Sequence, residues 1–149
     1  MTKKDKIAIA SIVLLIIACG IIWWLMPVHF LREVEPHEVA TIVVFNGNNG
    51  DEFEVTNSDD ISYIVDSIKE ITLRKDNYTS GVDYYYILTF INENGEEIDS
   101  FGIQNYNFLR RGDAFYRCNG ELDIVAEYLE SLEAIQFPDY NKDPDFPYS

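Results

Sequence analysis

The side chains in this chain that are suited to chemistry are few and scattered. There are two histidines, His29 and His37, and two cysteines, Cys19 and Cys118. Nucleophilic or acid–base catalysis needs a nucleophile, a base and an orienting group held together. Both histidines fall just after a long apolar run and outside the expected core. No serine sits in a G-x-S-x-G elbow, and no Gly-rich phosphate loop occurs. Carboxylate pairs abound, but with 26 acidic residues among 149 such pairs arise by chance. The pattern argues against an enzyme, and an uncharacterised hydrolase ranks third among the expectations.

Metal and recognition motifs are equally thin. Asp139-x-Asn141-x-Asp143 matches the opening of a calcium loop, but Pro144 stands where the sharp turn needs glycine. No Cys/His spacing suits zinc, and no cofactor motif is present. Arg111-Gly112-Asp113 spells an adhesion tripeptide, yet Gly-Asp is ordinary turn chemistry at the hairpin tip expected there. Asn77-Tyr78-Thr79 is a glycosylation sequon, relevant only in a eukaryotic host. Two surfaces remain as candidates. Arg74, Lys75, Arg110, Arg111 and Arg117 lie on the middle and late strands, where neighbouring strands would gather them into a basic patch for an anionic group. Edge-strand protection and salt bridging are the competing explanation. Tyr85 lies on a strand whose two faces are both apolar, and tyrosine suits wet interfaces through its apolar body and polar tip.

The elements that position these residues are ordered by one segment, Ile7–Met26, IAIASIVLLIIACGIIWWLM. It carries no charge. As a helix it would span roughly 30 Å, the thickness of a bilayer's hydrocarbon core. Trp23 and Trp24 stand at its end, where amphipathic rings favour the interface. Lys3, Lys4 and Lys6 precede it and only Arg32 follows closely. The positive-inside bias therefore predicts residues 1–6 in the cytoplasm, a single-pass helix at 7–26, and residues 27–149 outside. Two rivals stay open. Ala18-Cys19-Gly20 offers a signal-peptide cleavage site, and Ile16-Ile17-Ala18-Cys19 a degenerate lipobox with Cys19 lipidated. The large apolar residues that follow Cys19 favour the uncleaved anchor.

Beyond the anchor the composition is strongly acidic. Setting aside Lys3, Lys4, Lys6 and Asp5 leaves 8 basic and 25 acidic residues, a net charge of −17 for 27–149. Such a surface repels nucleic acid and attracts cations or a basic partner. Cys19 and Cys118 fall on different sides of the membrane boundary, so the outer domain is expected to fold without a disulfide, with Cys118 a small buried residue.

Periodicity gives the outer elements. Pro27 and Pro36 mark 27–38 as a juxtamembrane linker. VATIVVFN at 39–46, the turn GNNG and the alternating Glu52–Val55 predict a hairpin. Asn57, Ser58 or Asp59 caps a helix whose Ile61, Ile64, Val65, Ile68 and Ile71 share one face. A strand follows at Thr72–Lys75. Asp83–Asn92 is the strongest strand, with Tyr84, Tyr86, Leu88 and Phe90 on one face and Tyr85, Ile87, Thr89 and Ile91 on the other. Asn94-Gly95 turns it into Glu97–Ile103. Asn107–Arg111 and Ala114–Cys118 form a further hairpin, and Glu121–Ile135 a second amphipathic helix with Leu122, Val125, Leu129 and Leu132 inward. Residues 137–149 read as a Pro-rich flexible tail. Its Phe137, Tyr140, Phe146 and Tyr148 are candidates to cover the second sheet face. The expected domain at 39–136 is α+β: an antiparallel sheet of about five or six strands with two helices on one face, in the order ββα-ββββ-α.

The lysine-bearing anchor, VTNSDDISYIVDSIKEI, YYYILTFINENGEEI and the final EYLESL helix together resemble small membrane-anchored extracytoplasmic α+β domains of Gram-positive bacteria, in families of unknown function. The resemblance spans about residues 39–135. It implies a cell-surface domain and transfers no catalytic residue. The leading expectation is a membrane-anchored, non-enzymatic module that binds a protein, peptide or glycan. The runner-up is a membrane-tethered inhibitor or immunity-type protein whose acidic surface meets a basic partner.

Overall fold

A computed structural model describes residues 1–77 and 85–138. Tyr84 and the sequon residues Tyr78 and Thr79 lie outside them, as do the calcium-like run 139–143 and the tail residues Tyr140, Phe146 and Tyr148. The first helix, α1, runs Lys3–Leu25, with Thr2 and Asp5 forming a capping box. It is long and apolar enough to cross a membrane, and none of its residues is buried against the domain. That is compatible with a single-pass anchor.

The domain that follows α1 is α+β. Its strands are β1 (Thr41–Asn46), β2 (Glu52–Val55), β3 (Arg74–Asp76), β4 (Tyr86–Ile91), β5 (Glu97–Asn105), β6 (Phe108–Arg111) and β7 (Ala114–Arg117), with α2 (Ser58–Glu70) and α3 (Leu122–Gln136). The described residues thus hold seven strands where five or six were expected, and ββα is followed by five strands before α3. They form one antiparallel sheet in the order β2-β1-β4-β5-β6-β7-β3. The strand expected at Thr72–Lys75 forms as β3, shifted to Arg74–Asp76. It is three residues long and pairs at the far edge with β7, placing Arg74 opposite Arg117.

Local chemistry sets the boundaries. Asn57 caps α2, its Oδ1 accepting from the N–H groups of Asp59 and Asp60 at 2.9 and 3.3 Å. Gly95 turns β4 into β5 at φ +79°, a conformation that costs glycine little. Gly112 plays the same part between β6 and β7 at φ +57°, so Arg111-Gly112-Asp113 is a hairpin tip.

One face of the sheet carries the core. Ile42, Val44, Phe53, Val55, Tyr86, Leu88, Phe90, Phe101, Ile103 and Leu109 are buried in it. From the helices come Ile64, Val65, Ile68, Val125 and Leu129, and the four isoleucines and one valine expected on the inner face of α2 and its end are all buried. Val43, Phe45, Ile87 and Ile91, on the opposite face, are half-buried.

The stretch 27–38, expected as a linker, is part of the fold. Val28 exchanges both backbone hydrogen bonds with Leu73, at 2.7 and 2.9 Å. Phe30 and Leu31 are 1 % and 4 % exposed. Phe30 packs edge-on against Phe101 and Tyr116, with centroids 5.0 and 4.9 Å apart. Two helices are too few to tile a seven-strand face, and this segment is the third piece of cover. Pro27 and Pro36 bracket it but leave its apolar residues free to pack.

Candidate functional site

A polar cleft lies at the end of β1 and β4, beneath the last turns of α3. The GNNG turn builds its rim. Asn46 Oδ1 accepts from Asn48 N–H at 2.8 Å, Asn49 Oδ1 accepts from Asp51 N–H at 2.9 Å, and Gly50 takes φ +82°. Glu133 lies one turn beyond the buried Leu129 on the inner side of α3, where the apolar core gives out. Its carboxylate gathers the cleft. Asn46 Nδ2 donates to both its oxygens at 2.9 Å, Asn49 Nδ2 to Oε1 at 3.0 Å, and the Tyr86 hydroxyl to Oε2 at 2.8 Å. The open space above is about 700 Å³.

The cleft offers acceptors and rings. Asp51, Glu127, Glu130 and Glu133 supply carboxylates, Tyr85, Tyr86 and Phe137 supply aromatic walls, and among the described residues no Lys, Arg, His or Cys lines it. Glu133 is occupied by its four bonds. Asp51 Oδ2, by contrast, is buried with no hydrogen-bond partner. Burial, reinforced by the hydrogen bond to Glu133 and its negative charge, pushes the Tyr86 phenol far above its ordinary value. It therefore stays a neutral donor at any physiological pH.

Tyr85 is brought to this cleft. It sits just before β4, its ring 4.9 Å from that of Tyr86 and 6.0 Å from that of Tyr106, so it walls the strand end. Expected on the same strand face as Ile87, a face either open or covered by the tail, it lines this pocket. Asn46, Asn49, Asp51 and Glu133 were not singled out from sequence. The polar GNNG turn was visible, but Asn46 and Glu133 are 87 residues apart and only packing joins them.

The five cations do not form one patch. Arg111 turns to the covered face, where its guanidinium lies 3.7 Å from the Phe30 ring and pairs with Asp99. Arg110 Nε donates to the Gly112 carbonyl at 2.8 Å, binding its own turn. Arg74, Lys75 and Arg117 do come together, at the β3–β7 edge. Arg117 pairs with Asp76 at 3.2 Å. Lys75 Nζ stands 3.0 Å above the Trp23 ring, and Arg74 Nη1 reaches the Leu25 carbonyl at 3.4 Å. This edge is five strand spacings, about 24 Å, from β1 and its cleft.

Cys118 is 5 % exposed and donates to the Tyr106 carbonyl at 3.4 Å, and burial raises its thiol pKa. That is the behaviour of a packed, unreactive thiol. Among the described residues no three His, Cys, Asp or Glu side chains are grouped to hold a metal. Comparison with protein-family models, with curated proteins and with solved structures finds no match to this chain.

Proposed function

We propose that this chain is a single-pass, membrane-anchored and non-enzymatic binding module with its domain on the extracytoplasmic side. Its β1–α3 cleft takes an amine-bearing group, such as a lysine side chain or the amino terminus of a peptide. The observation that carries the reading is the makeup of the cleft among the described residues, which combines four carboxylates, three aromatic rings and the unpartnered Asp51 Oδ2 and includes no cation. A buried acceptor without a partner costs about 1–3 kcal/mol, which an entering ammonium donor removes. The rings favour the same charge through their negative faces. The bacterial cell-surface setting implied by the resemblance is part of this proposal.

The binding test uses the full chain in nanodiscs titrated with Gly-Gly-Lys-Gly-Gly amide, alongside its doubly acetylated form, which has no charged amine. The charged peptide is expected to bind at least about tenfold tighter, roughly 1.4 kcal/mol. Asp51→Asn or Tyr85→Ser should remove most of that preference without moving the melt. Equal binding of both peptides, or unchanged binding by either variant with its fold intact, would exclude the cleft as the site.

Topology has its own test. Protease added to intact spheroplasts should degrade residues 27–149 while leaving the N-terminal segment in the membrane. A protected domain would reverse the orientation, and a domain found free in the medium would mean cleavage.

The net charge of −17 beyond the anchor supports a second reading, an inhibitor or immunity-type protein that meets a basic partner across a broad acidic surface. On that reading, single changes in the cleft leave capture of the partner intact, whereas salt abolishes it.

A further inference from the structure

We propose that the β3–β7 edge docks onto the membrane surface and selects anionic phospholipid headgroups through Arg74, Lys75 and Arg117. The inference rests on the anchor reading and goes beyond it, because an anchor alone needs no lipid preference. Its first support is geometric. Only Met26 and Pro27 separate the end of α1 from Val28, which is tied to Leu73 by two backbone bonds. Three residue steps span at most about 10 Å, so the edge cannot leave the bilayer surface without breaking that bridge.

The second support is depth. Trp23 and Trp24 belong at the headgroup level when α1 spans the bilayer. Lys75 Nζ sits 3.0 Å over the Trp23 ring, and Arg74 reaches the Leu25 carbonyl at the end of α1. The two cations are therefore held at the depth of the lipid phosphates. A cleft of about 670 Å³ opens beside them, walled by Trp23, Trp24, Phe115 and Tyr116.

The third support is charge. Arg74 and Arg117 are direct cross-strand partners and both are exposed. Like charges opposed on a ladder are unfavourable unless an anion lies between them. Asp76 answers Arg117, and Asp113, which also lines this cleft, answers Arg110 at 3.8 Å, so among the described residues Arg74 and Lys75 remain without a carboxylate and leave the edge positive within an otherwise acidic domain. Phosphodiester headgroups supply the missing charge. The arrangement also turns the positive edge toward the bilayer surface, where anionic headgroups would repel the remainder of the domain.

The chain provides its own probe, because Trp23 and Trp24 are its two tryptophans. The full chain would be reconstituted in phosphatidylcholine bilayers containing 25 % phosphatidylglycerol, with bromine on the acyl chains of one lipid or of the other. Preferential binding makes brominated phosphatidylglycerol quench more than its mole fraction predicts. The expected enrichment is about threefold, a modest share of what three cations at a charged surface can supply. It should fall to one in 0.5 M salt and in the variant Arg74→Gln/Arg117→Gln. The salt titration needs no variant and so stands even if the double change disturbs folding. Quenching at the mole fraction in low salt overturns the proposal while leaving the anchor intact. Absence of quenching by either lipid removes the anchor reading, and the proposal with it.

Discussion

Phe30→Ala is expected to destabilise the domain by about 3–5 kcal/mol in a denaturant melt, a large part of the 5–15 kcal/mol typical of a small domain. Phe30 is 1 % exposed and touches three partners at once. Its ring meets Phe101 and Tyr116 edge-on and caps the Arg111 guanidinium. Truncation leaves a cavity between β5 and β7. It also strips the apolar and cation–π cover from Arg111, whose Nε is already buried without a partner. A chain beginning at residue 39 loses Phe30, Leu31 and the Val28–Leu73 bridge together, and is expected not to melt cooperatively. A loss below 1 kcal/mol for Phe30→Ala, or a sharp melt from residue 39 onward, would show that 27–38 is a linker after all.

Glu133→Ala is expected to cost about 2–4 kcal/mol, because it orphans several buried donors at once. Asn46 is 7 % and Tyr86 1 % exposed, and both lose their acceptor. Adding Tyr86→Phe to Glu133→Ala should cost less than the two single changes summed, since the hydroxyl no longer needs a partner. Strict additivity would mean that the two groups do not interact.

Two tyrosines, Tyr86 in the β1–α3 cleft and Tyr128 outside it, set the alkaline limit. Tyr86 is held above its ordinary pKa by burial first and Glu133 second. Tyr128 is pushed up to about 12 chiefly by its 2.6 Å hydrogen bond to Asp60. A phenol whose pKa is raised on folding stabilises fully below the unfolded value near 10. That contribution is lost as pH climbs through the folded value. Stability should therefore show no tyrosine-linked change below about pH 10 and fall between 10 and 12, with Tyr128→Phe reducing the fall in that window. A fall of the same size in the variant would remove Tyr128 as a source.

Much of the fold is legible in the chain because it is local. An apolar span of bilayer length needs no partner to be recognised. The spacing of Ile61, Ile64, Val65 and Ile68 specifies both a helix and its buried face, since residues three and four apart share a side. Phe90 and Leu88 are buried as the period of two requires. Gly95 and Gly112 turn the chain where a positive φ is needed. That same period also put Arg110 and Arg111 on opposite faces, so the split of the basic residues was readable although the cations were grouped by their neighbouring strands.

Tertiary structure decided what depends on contacts between distant segments. Whether Val28, Phe30 and Leu31 trail from the membrane or close the core depends on how much of a seven-strand face two helices leave uncovered, which no local pattern records. The three residues of β3 hold their edge place through β7, some forty positions away, and through the bridge to Val28. Asn46 and Glu133 look like surface residues in the sequence. They meet because α3 ends where the apolar filling of the sheet ends, and a buried amide must find an acceptor there. Local periodicity states which side of an element avoids water. The partner it meets is set by the one packing that buries all those sides together while leaving few polar groups unpaired.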